Sequence, residues 1–179
     1  MADAKDAIKA QFMRKYAKRA FSEITVKSLC AAALVARTTF YAYFSNTDDV
    51  LREIEDELLE ELEAVTFSVS GGDLPGMDFE RFMDAVEDCI KEHWSEIHAF
   101  LVSQPNLRFM RKWKDAIKEH FRQRYPEKKM SRSYEAVAEI MASSMVSAYA
   151  YWMEHPDTAS TADIKRLIRR MLDTLVSHL

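Results

Sequence analysis

Residues 38–44 read TTFYAYF, with aromatic side chains at four of the last five positions. A helix buries about one face, so these rings must divide between core and surface. Phe40 and Phe44 are four apart, share a face, and belong in a core with Val35. That leaves Tyr41 and Tyr43 facing outward, with Arg37, Thr38 and Thr39 beside them. Phenol hydroxyls so placed can reach phosphates, sugars or base edges. The chemistry is hydrogen bonding to a nucleic acid, and it needs a scaffold that presents one short helix.

The preceding residues supply that scaffold. Ile8, Phe12, Tyr16 and Ala20 form an apolar stripe on a helix expected over 4–20. Thr25 can cap a second helix over 26–33, its hydroxyl accepting from orphan backbone N–H groups. Val26, Leu29, Cys30 and Ala33 there follow the i, i+3, i+4, i+7 pattern of one buried face. After a tight break at Leu34–Val35–Ala36, a third helix runs over 37–44. Two short helices joined by a tight turn, the second rich in Arg, Thr and Tyr, form a helix-turn-helix reader. The same spacing fits a small helical subdomain with aromatic packing, and helix pairs alone do not separate the two.

The whole chain is bounded by its composition. Its 179 residues, 48% of them hydrophobic, suffice for a sizeable core. Three glycines and four prolines favour helices over turn-rich sheets. The expected class is all-α with nine helices, those beyond the first three lying near 47–67, 78–94, 96–103, 106–123, 132–153 and 161–178. All three glycines fall in SVSGGDLPGM (68–77), the clearest loop. No apolar run is long enough to span a membrane, and the charged start MADAKDAIKA lacks a signal-peptide core. Two distant cysteines, Cys30 and Cys89, point to a reducing cytoplasm rather than a disulfide framework.

The net charge of −4 conceals segregation. Residues 1–50 carry +3, 51–104 carry −12, 105–132 carry +7 and 133–179 carry −2. A basic N-terminal module thus precedes a strongly acidic stretch and a second basic one.

The stretch FSEITVKSLCAAALVARTTFYAYFSNTDDVLREI (21–54) resembles the TetR family of bacterial transcriptional regulators. The matching residues are Phe21, Ile24–Thr25–Val26, Ala33, Val35, Thr39–Phe40–Tyr41, Phe44 and the DDVL that opens the fourth helix. FLVSQPNLRFMRKWKDAIKEHF (100–121) has the look of the C-terminal domain in some relatives. The resemblance implies a homodimeric repressor: residues 1–46 bind a double-stranded DNA operator, and 47–179 bind a small-molecule effector and dimerise. By the family pattern Thr25 and Lys27 contact phosphate or base edges at the start of helix two. Arg37, Thr38, Thr39, Tyr41 and Tyr43 carry the helix-three contacts. Arg37 suits a bidentate contact to guanine, Thr38 or Thr39 a thymine methyl, and Tyr41 a phosphate.

Three departures bear on that expectation. The family carries glycine where this chain has Leu34, at a turn that needs positive φ. It carries lysine where this chain has Thr47, which removes a phosphate contact, and position 42 is a small alanine. The alternative is a diverged interaction protein that kept the fold and lost operator binding.

The remaining constellations are mostly packing. Phe79, Phe82, Met83, Val86 and Ile90 line one helix face, and Phe109, Met110, Trp113, Ile117 and Phe121 another. Of these, Phe82, Val86, Met110 and Trp113 are the expected effector-pocket wall. Cys89 and His93 have a spacing that can share a metal, with Glu92 or Glu96 nearby, but packing is the expected role and no metal is expected. The basic run from Arg108 to Arg124 is expected to be a solvated face, partly neutralised by the acidic fourth helix. Small residues over 134–153 and a wide apolar face over 161–178 suggest a four-helix dimer contact. No nucleophile–base pair or phosphate-cradling glycine loop is present, so neither catalysis nor a cofactor is expected.

Overall fold

A computed structural model describes residues 3–70 and 78–179, and every regular element among them is helical. Three short helices come first: α1 (Ala4–Tyr16), α2 (Val26–Ala33) and α3 (Arg37–Tyr43). The long α4 (Thr47–Ser70) follows, then α5 (Phe79–Glu92) and α6 (Trp94–His98). The latter runs straight into a π-helical turn over Ala99–Ser103. The chain ends with α7 (Leu107–Arg124), α8 (Tyr134–Glu154) and α9 (Thr161–Ser177). Most of the glycine-rich loop expected over 68–77 lies outside the described residues.

Helix starts are set by local chemistry. Thr25 caps α2 as expected: its Oγ1 accepts from Ser28 N at 3.2 Å, and Ser28 Oγ accepts from Thr25 N at 3.3 Å. This reciprocal pair is a capping box. A related arrangement precedes α4, Asp49 N donating to Asn46 Oδ1 at 2.9 Å while Asp49 Oδ2 accepts from Ser45 N at 3.0 Å. Asn106 caps α7. The first helix is shorter than its apolar stripe suggested, and Ala20 is exposed beyond its end. The side chain of Gln104 donates there to the carbonyls of Tyr16 and Arg19, which satisfies acceptors that a longer helix would have used internally.

One continuous core joins all of this, from Ile8, Phe12 and Phe40 through Leu58 and Trp113 to Ile168 and Leu172. α1 packs on α2, α3 and α4; α4 packs on α5 and α7; and α8 is sandwiched between α7 and α9. No described helix is long and apolar enough to cross a membrane. Ala138 and Ala142 of α8 are fully buried inside this chain, so those small residues serve internal packing and are not available to another chain. The outward side of the last two helices instead carries Ile140, Tyr151 and Leu167.

Candidate nucleic-acid interface

The α2–α3 turn positions the reader. Leu34 sits in left-handed backbone at φ 56°, ψ 38°, and no other described non-glycine residue has positive φ. Val35 N donates to Cys30 O at 3.0 Å, closing the end of α2 in a Schellman arrangement. The turn therefore keeps the geometry glycine would give, at the cost of backbone strain. The Leu34 side chain is 92% exposed and gains no burial in return.

Beyond the turn the aromatics divide as their spacing required. Phe40 and Phe44 are buried, and Val35 packs half-buried against the same core. Tyr41 and Tyr43 face outward, 56% and 43% exposed. Arg37, Thr38, Thr25 and Lys27 are exposed, and Thr39 is half-buried. Tyr43 Oη donates to Asp3 Oδ1 at 3.3 Å, which ties α3 to the start of α1. Thr25 Oγ1 is the cap acceptor and keeps its proton for donation outward.

Ion pairing separates the cations. Lys5 and Lys9 of α1 are held by Glu53 and Glu57 of α4. Arg14, Lys15, Lys18, Arg19, Lys27 and Arg37 have no ion pair among the described residues, and all lie in the first three helices or their connections. In α7 the basic run is almost entirely engaged. Arg108 bonds Glu55 and Asp48, and Lys112 meets Asp56. Lys114 and Lys118 both reach Glu139, and Arg122 reaches Glu135 at 2.7 Å. The neutralisation expected from α4 thus comes from α8 as well. The acids at the start of α4 are likewise committed: Asp48 pairs with Arg108 and Arg52, and Asp49 serves the cap.

Away from this surface, Phe82, Val86 and Trp113 do line a common cavity, together with Leu59, Met145 and Tyr149. It holds about 20 Å³, room for roughly one water molecule. A neighbouring cavity of about 50 Å³ shares Phe82, Ile117, His120 and Met145 with it. Met110 lines neither: it lies one turn nearer the start of α7, half-buried against the core. Burial lowers the pKa of His120 against the opposing pull of Glu63 and Glu119, which favours a neutral ring between the two cavities. The Cys89 thiol is pushed up to about 11 by burial, then by Glu61 and Glu92, as befits a packing residue. His93 Nε2 meets Glu61. Among the described residues no group of three His, Cys, Asp or Glu side chains could hold a metal ion.

One feature escaped sequence reasoning. Glu55 is fully buried, and Arg108 and Asn106 supply its partners. The signal was present: Glu55 falls in register with Leu51, Leu58 and Leu62, a carboxylate at a core position that must find donors.

A helix-turn-helix unit carried on a larger helical body is the architecture of a TetR-type transcriptional regulator. Residues 98–179 match the family model described as the MftR C-terminal domain, a TetR C-terminal type, so this part of the chain is a TetR-like C-terminal domain. Solved structures agree on the fold. A TetR transcriptional regulator from Streptococcus agalactiae 2603V superimposes with a TM-score of 0.73 at 19% identity, over 94% of this chain and 93% of that one. The fatty acid degradation regulator FadR from Bacillus halodurans gives 0.65 at 14% identity, covering 100% and 97%. The dihydroxyacetone kinase operon activator DhaS gives 0.59 at 14% identity, covering 99% and 97%. No curated protein sequence matches the chain.

Proposed function

We propose that the protein is a DNA-binding repressor, not an enzyme, that works as a cytoplasmic homodimer and is released from its operator by a small apolar effector. Residues 1–46 read the DNA, and 47–179 dimerise and take the effector. The observation that carries this reading is the exposed, uncompensated set Lys27, Arg37, Thr38 and Tyr41 on a properly formed helix-turn-helix. Phosphate neutralisation needs cations that are not already paired, and these are not. Thr25, Thr39 and Tyr43 complete the contact set, Tyr43 after exchanging its bond to Asp3.

Dimerisation is supported by the outward apolar side chains Ile140, Tyr151 and Leu167 on the last two helices. An isologous pairing there would bury them and join two reading heads. Effector binding is supported by the two adjoining apolar cavities. Each is too small for an organic ligand, so entry would move the side chains that divide them, chiefly Phe82, Ile117 and Met145.

Selection of bound sequences from random double-stranded DNA by the purified protein is the test. A near-palindrome with half-sites about one helical turn apart, or a multiple, is expected. Absence of any enriched sequence at low salt would overturn the operator reading in favour of an interaction protein that kept the fold. DhaS, which shares the fold, is an operon activator; transcription from a promoter carrying the selected site distinguishes activation from repression.

A further inference from the structure

The connection between the π-turn and α7 touches both parts of the molecule. The π-turn is closed by Gln104 N donating to Ala99 O at 2.9 Å, and Asn106 N donates to Phe100 O at 2.7 Å. Such turns are rare and interrupt the regular helical ladder. Three side chains then leave the backbone within five residues. Gln104 Nε2 donates to Tyr16 O and, at 2.5 Å, to Arg19 O at the end of α1. Asn106 Nδ2 donates to Glu55 Oε1 at 2.6 Å while its own Oδ1 caps α7. Arg108 forks onto Glu55, Nε to Oε2 at 2.7 Å and an Nη to Oε1 at 2.9 Å, and its other Nη reaches Asp48 Oδ1 at 3.0 Å.

The two acids lie seven residues apart on α4, so Arg108 spans two turns of one face beginning at the helix start. Glu55 is fully buried, so its carboxylate oxygens must find their hydrogen-bond donors within the protein. The guanidinium fork fixes angle as well as distance. A few turns further on, α7 presents Trp113 and Ile117 to the cavity. One short segment therefore grips the end of α1, the start of α4 and the cavity wall together.

The geometry points to Gln104, Asn106 and Arg108 as positioning residues that set the angle between the helix-turn-helix and the body, and so the half-site spacing that the protein accepts. The spacing part rests on the DNA reading proposed above; the angle does not. A shift of α7 would pass to α1 through Gln104 and to α4 through Arg108. A merely structural brace would alter stability without altering either.

The test uses Gln104→Ala, which removes the side-chain bonds to α1 and leaves Tyr16 Oη on the backbone carbonyl of residue 104, and Arg108→Lys, which keeps the charge and loses the fork. Nitroxide labels at Lys18→Cys and Glu127→Cys, with labelled chains diluted in unlabelled protein, report the head-to-body distance by pulsed electron resonance. Both variants should broaden that distribution while retaining helical circular dichroism. On DNA with half-sites at graded separations, each should accept spacings the unmodified protein rejects, cutting the spacing preference by about tenfold with half-site bases unchanged. Unchanged distance widths with only a lowered melting point would overturn the proposal. Were the unmodified protein to bind no DNA, the operator reading would fail, and the distance widths alone would decide this inference. Should Arg108→Lys fail to fold, Gln104→Ala carries the test.

Discussion

The two basic stretches of this chain differ in what their cations do. In α7, Arg108, Lys112, Lys114, Lys118 and Arg122 each meet a carboxylate from α4, α8 or their own helix. In the first three helices and their connections, Arg14, Lys15, Lys18, Arg19, Lys27 and Arg37 meet none. By count the second stretch, 105–132, is the more basic, +7 against +3 for 1–50, but only Arg111, Lys128, Lys129 and Arg132 of it join the six N-terminal cations in having no ion pair among the described residues. By uncompensated charge the first is the better surface for a polyanion. Density of Lys and Arg in sequence is therefore a poor guide to nucleic-acid contact, because pairing to acids on neighbouring helices cancels the field.

That contrast breaks most visibly at Arg108. Arg108→Ala leaves Glu55 buried with Asn106 as its main donor, and should cost about 3 kcal/mol or more. For a chain of this length the melting point would fall by roughly 6–12 °C. Thermal unfolding by circular dichroism checks it. A change below about 0.5 kcal/mol, typical of ordinary surface sites, would show that the α7 cations are as idle as exposed ones.

A second prediction places charge where neither basic stretch lies. Leu167 is 60% exposed on α9 and belongs to the proposed dimer face. Leu167→Glu should weaken the dimer by about 3 kcal/mol through an unpaired buried charge, while the isolated chain keeps its fold. Ala148 is a poorer probe, because it packs against this chain's own core. Sedimentation at micromolar concentration reads the outcome. A clean monomer before mutation would remove the two-headed reading altogether.

On the N-terminal side the effects should appear in binding rather than in folding. Arg37→Ala should relax preference at one base position at a cost of ~1–3 kcal/mol, with stability unchanged within about 0.5 kcal/mol. Tyr41→Ala should weaken binding across sequences, since phosphate contacts carry little base information. Competition binding against single-base operator variants separates the two patterns. A loss of folding stability in Arg37→Ala would mean that this cation is as structurally committed as those of α7.

The sequence made some of this legible and hid the rest for physical reasons. Spacing alone divided Phe40 and Phe44 from Tyr41 and Tyr43, because i, i+4 pairs share a helix face whatever the tertiary context. The cap at Thr25 and the break at Leu34 were also local, and both are where they were expected. Three of the four expected cavity residues converge; Met110 does not, since an apolar stripe shows which face is buried and not which neighbour leaves a gap. The early end of α1 depended on Gln104, 85 residues away from Arg19. No periodicity carries that information. The same holds for the Glu55–Arg108 clamp, where register exposed the misplaced acid without naming its partner.

The smallest effect is expected at Leu34, and it tests whether the reader is a damaged turn or a strained but intact one. A non-glycine residue in left-handed backbone costs roughly 1–2 kcal/mol. Glycine relieves that strain and returns about 0.4–1 kcal/mol through the freedom it adds to the unfolded chain. With the side chain 92% exposed there is no packing to lose. Leu34→Gly should therefore stabilise by up to about 1 kcal/mol, a rise of no more than roughly 4 °C in melting point. Leu34→Ala separates the causes: it removes the exposed side chain and keeps the Cβ, so it should gain nothing. DNA affinity should stay within about threefold in both, because the turn already has the geometry that glycine would adopt. A loss above about 2 kcal/mol in Leu34→Gly would mean that this leucine makes contacts worth more than the strain it stores. A gain in DNA affinity with no gain in stability would mean that the leucine obstructs the groove, and would favour the interaction-protein reading.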